Sequence, residues 1–513
     1  MPSPRALRGE GTEAMPTDLH FSLMIPELVV LGSAVLVLLL DAVLHGGGPR
    51  PGEEDPRDTT LALSVVGCVV AAAWIPAVLW NIEGPRSSFT GLFVADRFSL
   101  FFKLVVLVGA ALSLLLSDSW LRRRRLSSGA AHALVLFATS GMMYMVSAGD
   151  MVTLFLGLEV MSIPVYCLAA LLRWEDRSVE AGVKYLVLGA FATAIMLFGF
   201  ALLYGYQGLV GGVATTQLEP LQTTLMANAE ALPLYARAGG LLVLIGLLFK
   251  ISAAPFHMWT PDVYEGAPLP FVAFMSVAVK ATAAAVLLRV FGGPLLAVLG
   301  LDGMLWVVAA FTMVVGNFMA LVQDNVKRML AYSSIAHGGY ILVGVLAGSA
   351  EAQAGVLYYA LAYTVGNVAA FAVLVYLSRQ GHEAERFSDL QGLGARHPLV
   401  GGVMVLAMLS LTGIPPLVGF FGKFVIFKAA VAQGYVGLTI LALLTSAVSF
   451  AYYLRPVIAL FMRPTVGCEV AVIPVNRRVA LCMGLTSLAI CALGVFSESY
   501  LGWLSSAVLA LAG

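Results

Sequence analysis

Charged residues are scarce in this sequence: Asp, Glu, Lys and Arg make up 11% of its 513 residues. An ordinary soluble domain carries about 25%, so the composition excludes a soluble protein of any fold. The hydrophobic share is 60%, and the mean hydropathy is +0.92. Because each crossing of a bilayer needs about 20 apolar residues, we expect an all-α polytopic membrane protein.

An excess of either charge sign is also missing, since the formal net charge is +0. The one basic run, 122–125, lies between two apolar runs and is typical of a topology signal. Nothing therefore indicates an acidic partner, and we expect no nucleic-acid binding.

Cysteine spacings typical of metal sites are absent. The five cysteines form no CxxC or CxxH motif, and no glycine-rich nucleotide loop follows a strand. We therefore expect no zinc, haem or iron–sulfur site and no redox cofactor in this chain. A cleavable signal peptide is not predicted either, because residues 1–20 are polar and lack an apolar core. Residues 1–14 read as an upstream extension before Met15.

The sequence is rich in long apolar runs, and about fourteen of them lie between residues 24 and 511. Two of them are interrupted by proline: the seventh, around Pro255 and Pro261, and the twelfth, at Pro415 and Pro416. Proline removes a backbone donor, and a broken helix survives in a membrane only beside protein or water. A single kink is common in membrane helices, but two breaks five spans apart favour two inverted five-helix repeats, a transporter architecture.

The predicted organisation follows from these breaks. It comprises a polar leader 1–23, helices 1–3 in 24–118, a first repeat of helices 4–8 in 130–291, a second, inverted repeat of helices 9–13 in 303–461, and helix 14 in 479–513. Most Arg and Lys of the connections follow odd-numbered spans. We call that side the arginine-rich face and expect it to be cytoplasmic, which places both termini on the periplasmic side.

Five charged residues lie inside the apolar runs. They are Glu159, Lys184, Lys250, Lys280 and Lys423. A charge at the bilayer centre costs roughly 2.5–3.5 kcal/mol on insertion scales. Several such charges of mixed sign indicate a water-filled path or a relay of titrating groups.

These charges can also be explained by structural roles alone. Glu159 and Lys184 lie on neighbouring spans, so they can form a pair that either fixes helix packing or separates to change the field on its neighbours. Burial lowers a lysine pKa and a nearby carboxylate raises it, so buried lysines suit proton transfer. Snorkelling to the interface is credible for Lys103 and Lys428 but poor for Lys280, which has about a dozen apolar residues on either side.

Two histidines, His257 and His337, titrate near neutrality and are candidate proton carriers, although a lone histidine is more often a packed polar group. Neither has a second ligand at helical spacing, so we expect no metal site. Lys423 follows the second break as the counterpart of the region around Lys250. Other polar residues of the spans either hold bridging waters or make ordinary interhelical hydrogen bonds; they are Asn317, Asn367, Tyr332, Tyr363 and Tyr452.

Four motifs carry a family resemblance: GLEVMSIPVY, KISAAPFHMWTPDVYEGAP, QDNVKRMLAYSSIAHGGY and LTGIPPLVGFFGKF. They are similar to the antiporter-like membrane subunits of respiratory complex I, and the likeness runs from about residue 24 to the end of the chain. The resemblance implies fourteen helices in two inverted repeats around a polar axis. It also implies that the five intramembrane charges are proton-channel residues, with His257 an accessory and His337 less securely matched.

The resemblance implies a function as well. We expect a proton-conducting, non-redox subunit of an NADH:quinone oxidoreductase in a bacterial inner membrane, with flavin, iron–sulfur clusters and quinone in or between partner subunits. The implied partners are an antiporter-like subunit M, small membrane subunits such as K, the lipid bilayer and the quinone. Two alternatives stay open: a subunit of an Mrp-type cation/proton antiporter, and a structural subunit that conducts nothing.

Overall fold

The structure is a computed structural model that describes residues 20–45, 56–80, 84–124, 126, 128–378, 383–462 and 476–509. Most of the predicted leader 1–23 therefore lies outside the described residues. The regular structure of these described residues is helical except for one antiparallel pair of short strands, β1 (Arg86–Ser88) and β2 (Phe93–Ala95).

The described residues of the first half of the chain form twelve α-helices. They are α1 (Ile25–His45), α2 (Pro56–Trp74), α3 (Arg97–Arg124), α4 (Gly129–Val146), α5 (Met151–Ala169), α6 (Asp176–Val210), α7 (Leu218–Ala227), α8 (Leu234–Ile251), α9 (Trp259–Gly266), α10 (Leu269–Phe274), α11 (Lys280–Phe291) and α12 (Leu295–Val298). Turns of π-helix extend α2 over Ile75–Leu79 and join α10 to α11 over Met275–Val279.

Nine more α-helices lie in the part of the second half that the structure describes. They are α13 (Asp302–Leu321), α14 (Val326–Ala347), α15 (Ala350–Leu377), α16 (Leu393–Arg396), α17 (Pro398–Thr412), α18 (Val418–Ala432), α19 (Val436–Met462), α20 (Arg477–Val495) and α21 (Ser497–Leu509). Short 3-10 turns occur at Phe21–Met24, Ala229–Ala231 and Phe387–Leu390.

Within the described residues, thirteen helices are long and apolar enough to cross a membrane, which confirms the predicted all-helical membrane class. The predicted twelfth span is not among them, because it is divided into α17 and α18, of 15 residues each. The predicted fourteenth span is divided too, at Phe496 between α20 and α21.

Helix starts and close approaches follow local rules. Asp150 caps α5 by accepting a hydrogen bond of 2.7 Å from the Thr153 amide, and Asn325 caps α14 in the same way. Gly141 of α4 faces the backbone of α5, where a Cβ would lie 2.4 Å from the Met161 nitrogen. Small residues of this kind let membrane helices pack closely.

The two proline breaks have the same local form. α8 is capped at its end by Ser252 and α17 by Gly413, both with left-handed backbone (φ of 65° and 92°). A second helix then starts after the prolines, α9 in the first break and α18 in the second. Each break leaves carbonyl oxygens without helical donors, which is tolerated in a membrane only away from lipid.

The centre of the bundle is formed by three elements. The apolar parts of α14 and of the continuous segment Leu269–Phe291 are wholly buried, and that of α15 is nearly so. In contrast, α6, α13 and α19 face outward over much of their length. Lys280 and His337 therefore lie in the interior of the protein and not on a lipid-facing surface.

One prediction from the sequence was wrong. Lys103 does not snorkel to the interface: its side chain is fully buried and pairs with Glu27 of α1 at 2.7 Å. The ammonium also lies 4.7 Å from the centre of the Phe93 ring. An uncompensated ammonium in the interior would be costly, so the carboxylate and the ring replace the water that snorkelling would have supplied.

Candidate functional site

Lys250 lies in the last turn of α8, just before the first break, and is fully buried. Its Nζ donates to Ser162 Oγ at 2.8 Å and to the Tyr166 hydroxyl at 3.3 Å, both on α5. Glu159, one turn before Ser162, interacts with it electrostatically. The Lys250 ammonium is thus hydrogen-bonded to two neutral hydroxyls. The Glu159 carboxylate lies near enough to act on its charge but does not form an ion pair with it.

The predicted Glu159–Lys184 pair is not made in this structure. Lys184 instead forms ion pairs with Glu180 on its own helix and with Asp262 of α9, both at 2.7 Å. Its side chain is 40% exposed. α6 thus directs Lys184 toward the arginine-rich face, while Glu159 keeps its interaction with Lys250.

Lys280 is the first residue after the π-turn Met275–Val279 and is fully buried. Its Nζ donates to the backbone carbonyl of Ser334 on α14. A π-turn inserts one residue into a helix and is frequent at functional sites. Here it sets the direction of the central lysine toward the buried helix α14.

His337 lies one turn after Ser334 on α14 and is held by two tyrosines. Its Nδ1 contacts the Tyr359 hydroxyl, and its Nε2 is 2.8 Å from the Tyr453 hydroxyl. Both Lys280 and Lys423 act on it electrostatically. His337 therefore lies between the two lysines, within a cluster of hydroxyl groups that can donate or accept.

Lys423 belongs to α18 but is held by the end of α17. Its Nζ donates to the carbonyl oxygens of Leu411 and Thr412 at 3.0 and 2.9 Å and to Ser446 Oγ at 2.9 Å. The last carbonyls of a helix carry partial negative charge and favour a cation. The second break thus creates the binding site for Lys423.

His257 is placed apart from this arrangement. It follows the first break, is half-buried, and its Nδ1 has no hydrogen-bond partner among the residues that the structure describes. Its neighbour Met258 is exposed. The structure therefore leaves His257 at the edge of the bundle rather than between the lysines.

Amides and hydroxyls of the spans form direct interhelical bonds. Tyr452 donates to Asn317 Oδ1 at 3.0 Å, and Asn317 donates to the Tyr340 hydroxyl at 3.1 Å. The Tyr340 ring lies 4.9 Å from Lys423 Nζ. Asn367 bonds Ser276 of the π-turn at 2.6 Å, and its own Oδ1 is left without a partner in the described structure.

Sequence reasoning missed a second set of charges, at the arginine-rich ends of the helices. Lys327 is 1% exposed and pairs with Glu383 at 2.9 Å and Glu385 at 3.2 Å. Beside it, Arg328 pairs with Glu265 at 2.7 Å and with Asp262 at 3.2 Å. The sequence places Lys327 and Arg328 in a connection, where they serve only as topology signals. The carboxylates that face them come from distant segments, the helix α9 for Arg328 and the loop before Phe387 for Lys327.

Metal binding has no structural support in the described part of the chain, where no group of three or more His, Cys, Asp or Glu side chains is placed to hold an ion. What the arrangement offers is a series of buried ammonium groups, at Lys250, Lys280 and Lys423, each solvated by neutral oxygens. Such groups exchange protons with hydroxyls and ordered water more readily than tight ion pairs do.

Residues 148–449 match the family described as NADH:quinone oxidoreductase/Mrp antiporter, TM. The chain is 45% identical over 403 residues to NADH-quinone oxidoreductase subunit N of Trichlorobacter lovleyi, covering 78% of this chain and 81% of the relative. It is 40% identical over 503 residues to subunit N 1 of Sorangium cellulosum, covering 94% and 98%.

A chain of respiratory complex I from Thermus thermophilus, solved with bound aureothin, is 32% identical and superposes with a TM-score of 0.76. The match covers 93% of this chain and 99% of that one. With its two broken helices and its buried lysines, the chain belongs to the NADH:quinone oxidoreductase/Mrp antiporter transmembrane family, as an antiporter-like subunit of the N type.

Proposed function

We propose that this chain is a proton-translocating, non-redox subunit of an NADH:quinone oxidoreductase. The observation that carries the proposal is the series of buried lysines in the spans, held by hydroxyls and carbonyls, with His337 under the electrostatic influence of Lys280 and Lys423. Ionisable groups inside a membrane protein mark ion pathways and proton relays. The N-type relatives supply the reaction to which the relay is coupled.

In this proposal Lys250 is the central proton acceptor, and the carboxylate of Glu159 sets its proton affinity. Lys184, which pairs with Glu180 and Asp262 near the start of α6, changes the charge near Glu159 when it changes its ion-pair partner. Lys280 and His337 pass the proton laterally through hydroxyls and water, with His257 as an accessory at the first break. Lys423 is the exit or storage site.

The architecture that we propose for this task is two inverted five-helix repeats, over residues 130–291 and 303–461. The matched left-handed helix ends at Ser252 and Gly413 support it, since each repeat then has one broken helix. α17 and α18 together supply the crossing that brings the total to fourteen. Residues 24–118 and 479–513 flank the repeats, and 1–23 is the leader.

We further propose that the chain resides in a bacterial inner membrane with both termini on the periplasmic side. Its neighbours there are an antiporter-like subunit M and small membrane subunits such as K, besides lipid. Flavin, iron–sulfur clusters and quinone belong to or lie between the partner subunits, so coupling reaches this chain as a shift in helix position or charge.

The test is Lys250→Ala in membrane vesicles that contain the assembled complex. NADH-driven proton uptake should fall at least about tenfold, because the variant removes the acceptor itself. Lys428→Ala is the matched control, since Lys428 is 61% exposed and its ion pair is with Glu351, away from the buried lysines. Unchanged uptake per electron in an assembled Lys250→Ala complex contradicts the proposal.

The family description also includes Mrp antiporters, which favours a second candidate, a cation/proton antiporter subunit. The two candidates differ in the energy source for proton movement, which is NADH oxidation in the first and a cation gradient in the second. A sodium-dependent pH change in vesicles without NADH supports the antiporter, whereas co-purification with flavin and iron–sulfur subunits supports the first proposal.

A further inference from the structure

A charged cavity of about 460 Å³ opens at the arginine-rich ends of the helices. Its wall includes Arg124, Glu175 and Arg386. Lys327 and Glu383 are its innermost charged residues, with side chains 1% and 7% exposed. We call this cavity the vestibule and the Lys327–Glu383 pair its floor.

The floor is closed by a saturated set of hydrogen bonds. Lys327 Nζ donates to Glu383 and to the Ala267 carbonyl at 2.9 Å each, and to Glu385 at 3.2 Å. An ammonium has three hydrogens, so none is left for water. The other oxygen of Glu383 accepts from Trp120 Nε1 at 2.7 Å, which fixes the carboxylate in place.

Behind the floor, α14 continues into the site around Lys280. Ser334 lies two turns beyond Lys327, about 10 Å along the helix, and its carbonyl accepts from Lys280. The hydroxyls of Ser334 and Tyr363 are buried next to each other, and neither makes a hydrogen bond of ordinary geometry in the described structure. Buried polar groups of this kind are normally satisfied by ordered water.

We propose that the vestibule is the aqueous route by which protons reach Lys280, and that Glu383 is a positioning residue that holds Lys327 across its floor. The inference rests on the proposed proton-translocating function and names its access point. Release of Lys327 from Glu383 opens the floor and joins outside water to the buried hydroxyls of Ser334 and Tyr363.

The test measures access and pumping separately. Glu383→Gln keeps the side-chain shape and an acceptor for Trp120 but removes the charge that holds Lys327. A cysteine at Ala267, which is fully buried at the floor, then reports the opening in a Cys468→Ser background. A polar, membrane-impermeant thiol reagent added at the arginine-rich face should label Ala267→Cys about tenfold faster when Glu383→Gln is present.

Pumping gives the second readout. NADH-driven proton uptake should fall about fivefold or more in Glu383→Gln and recover to at least about half of the parent value in Glu383→Asp, which keeps the charge. Glu351→Gln, in an exposed Glu–Lys pair at the other end of the helices, should change neither readout. An equal labelling rate with and without Glu383→Gln overturns the proposal, as does normal uptake in that variant.

Assembly is checked by NADH oxidation with a soluble acceptor, which needs no proton transfer through this chain. If Glu383→Gln fails to assemble, Lys327→Ala in the assembled complex decides, because it removes the other member of the pair: faster labelling than in the parent is expected, and an unchanged rate overturns the proposal. The labelling test can also fail or succeed independently of the proposed function. Normal pumping in Lys250→Ala would contradict the proposed function, whereas the labelling rate of Ala267→Cys would still report whether the floor opens.

Discussion

Lys184 and Asp262 form an ion pair of 2.7 Å between α6 and the short helix α9 that follows the first break. The lysine expected to neutralise Glu159 is thus held by the second half of the broken helix. Any movement of α9 relative to α6 changes the partner available to Lys184, and with it the charge near Glu159 and Lys250.

Asp262→Asn is therefore expected to disturb function more than stability. The pair is partly exposed, so its loss should cost no more than about 1 kcal/mol of stability. NADH-driven proton uptake, however, should fall severalfold, because Lys184 is freed to approach Glu159. Glu180→Gln removes the other, 61% exposed partner of Lys184 and is the control, with uptake near the parent value. Equal uptake in parent and Asp262→Asn vesicles would refute this role.

Gly413→Ala is expected to damage the Lys423 site. Gly413 has φ of 92°, and a Cβ there would lie 3.2 Å from Lys423 Cδ. A left-handed alanine costs roughly 1–2 kcal/mol, and the methyl group pushes the lysine away from the α17 carbonyls. We expect a lower thermal unfolding midpoint and lower proton uptake. Gly402→Ala, also in α17 but with open space at its Cβ, should alter neither; a silent Gly413→Ala contradicts this account.

The buried pair of Glu27 and Lys103 predicts a stability effect with a specific rescue. Removing one partner of a buried ion pair leaves the other charge uncompensated, which costs about 3–5 kcal/mol. Glu27→Gln and Lys103→Met should each reduce the heat stability of the purified complex, whereas the double variant should recover most of it. A double variant that is no better than either single one would show that charge compensation is not the cause.

Stability at the vestibule floor should depend on pH. Burial raises the pKa of the Glu383 carboxyl, but the charge and hydrogen bond of Lys327, the Trp120 hydrogen bond and the charge of Arg124 outweigh it and hold the pKa below its usual range. A lowered folded-state pKa stabilises the fold above the unfolded pKa of about 4.3, and the gain is lost as pH falls through the folded value.

The measurement compares thermal unfolding of the parent and Glu383→Gln across pH. The difference in midpoint should be constant above about pH 5.5 and shrink at more acid pH. The charged groups around Glu383 are Lys327, Arg124 and Glu385, and Glu385 is the second carboxylate that pairs with Lys327. Glu385→Gln therefore serves as the control, and a midpoint difference independent of pH down to about pH 3 would rule out the charge of Glu383 as its source.

The sequence predicts the parts of this molecule that local chemistry decides. Apolar runs determine the spans, and the prolines near Pro255 and Pro416 determine the breaks, because a missing backbone donor acts within one turn. Burial of Lys250, Lys280 and Lys423 follows from the apolar residues on either side. The partners of these side chains do not follow, since they depend on helix rotation and on contacts between distant segments.

The contacts at the vestibule floor also could not be predicted from the sequence. Lys327 stands at the start of a helix, where a solvated lysine is the ordinary expectation. Its burial depends on Glu383, which comes from a loop 56 residues later. Lys184 similarly bonds Asp262 across 78 residues of sequence. Hydropathy and motif spacing carry no information about which carboxylate meets which cation.

The π-turn at Met275–Val279 has a mechanical consequence for Lys280. If this turn tightened into a regular α-helical one, the downstream register would slip by one residue, and the lysine would rotate by about 100° around the helix axis. That rotation would carry its ammonium off the Ser334 carbonyl without moving either end of the bundle. The π-turn thus makes the position of the Lys280 charge depend on the local register of this helix.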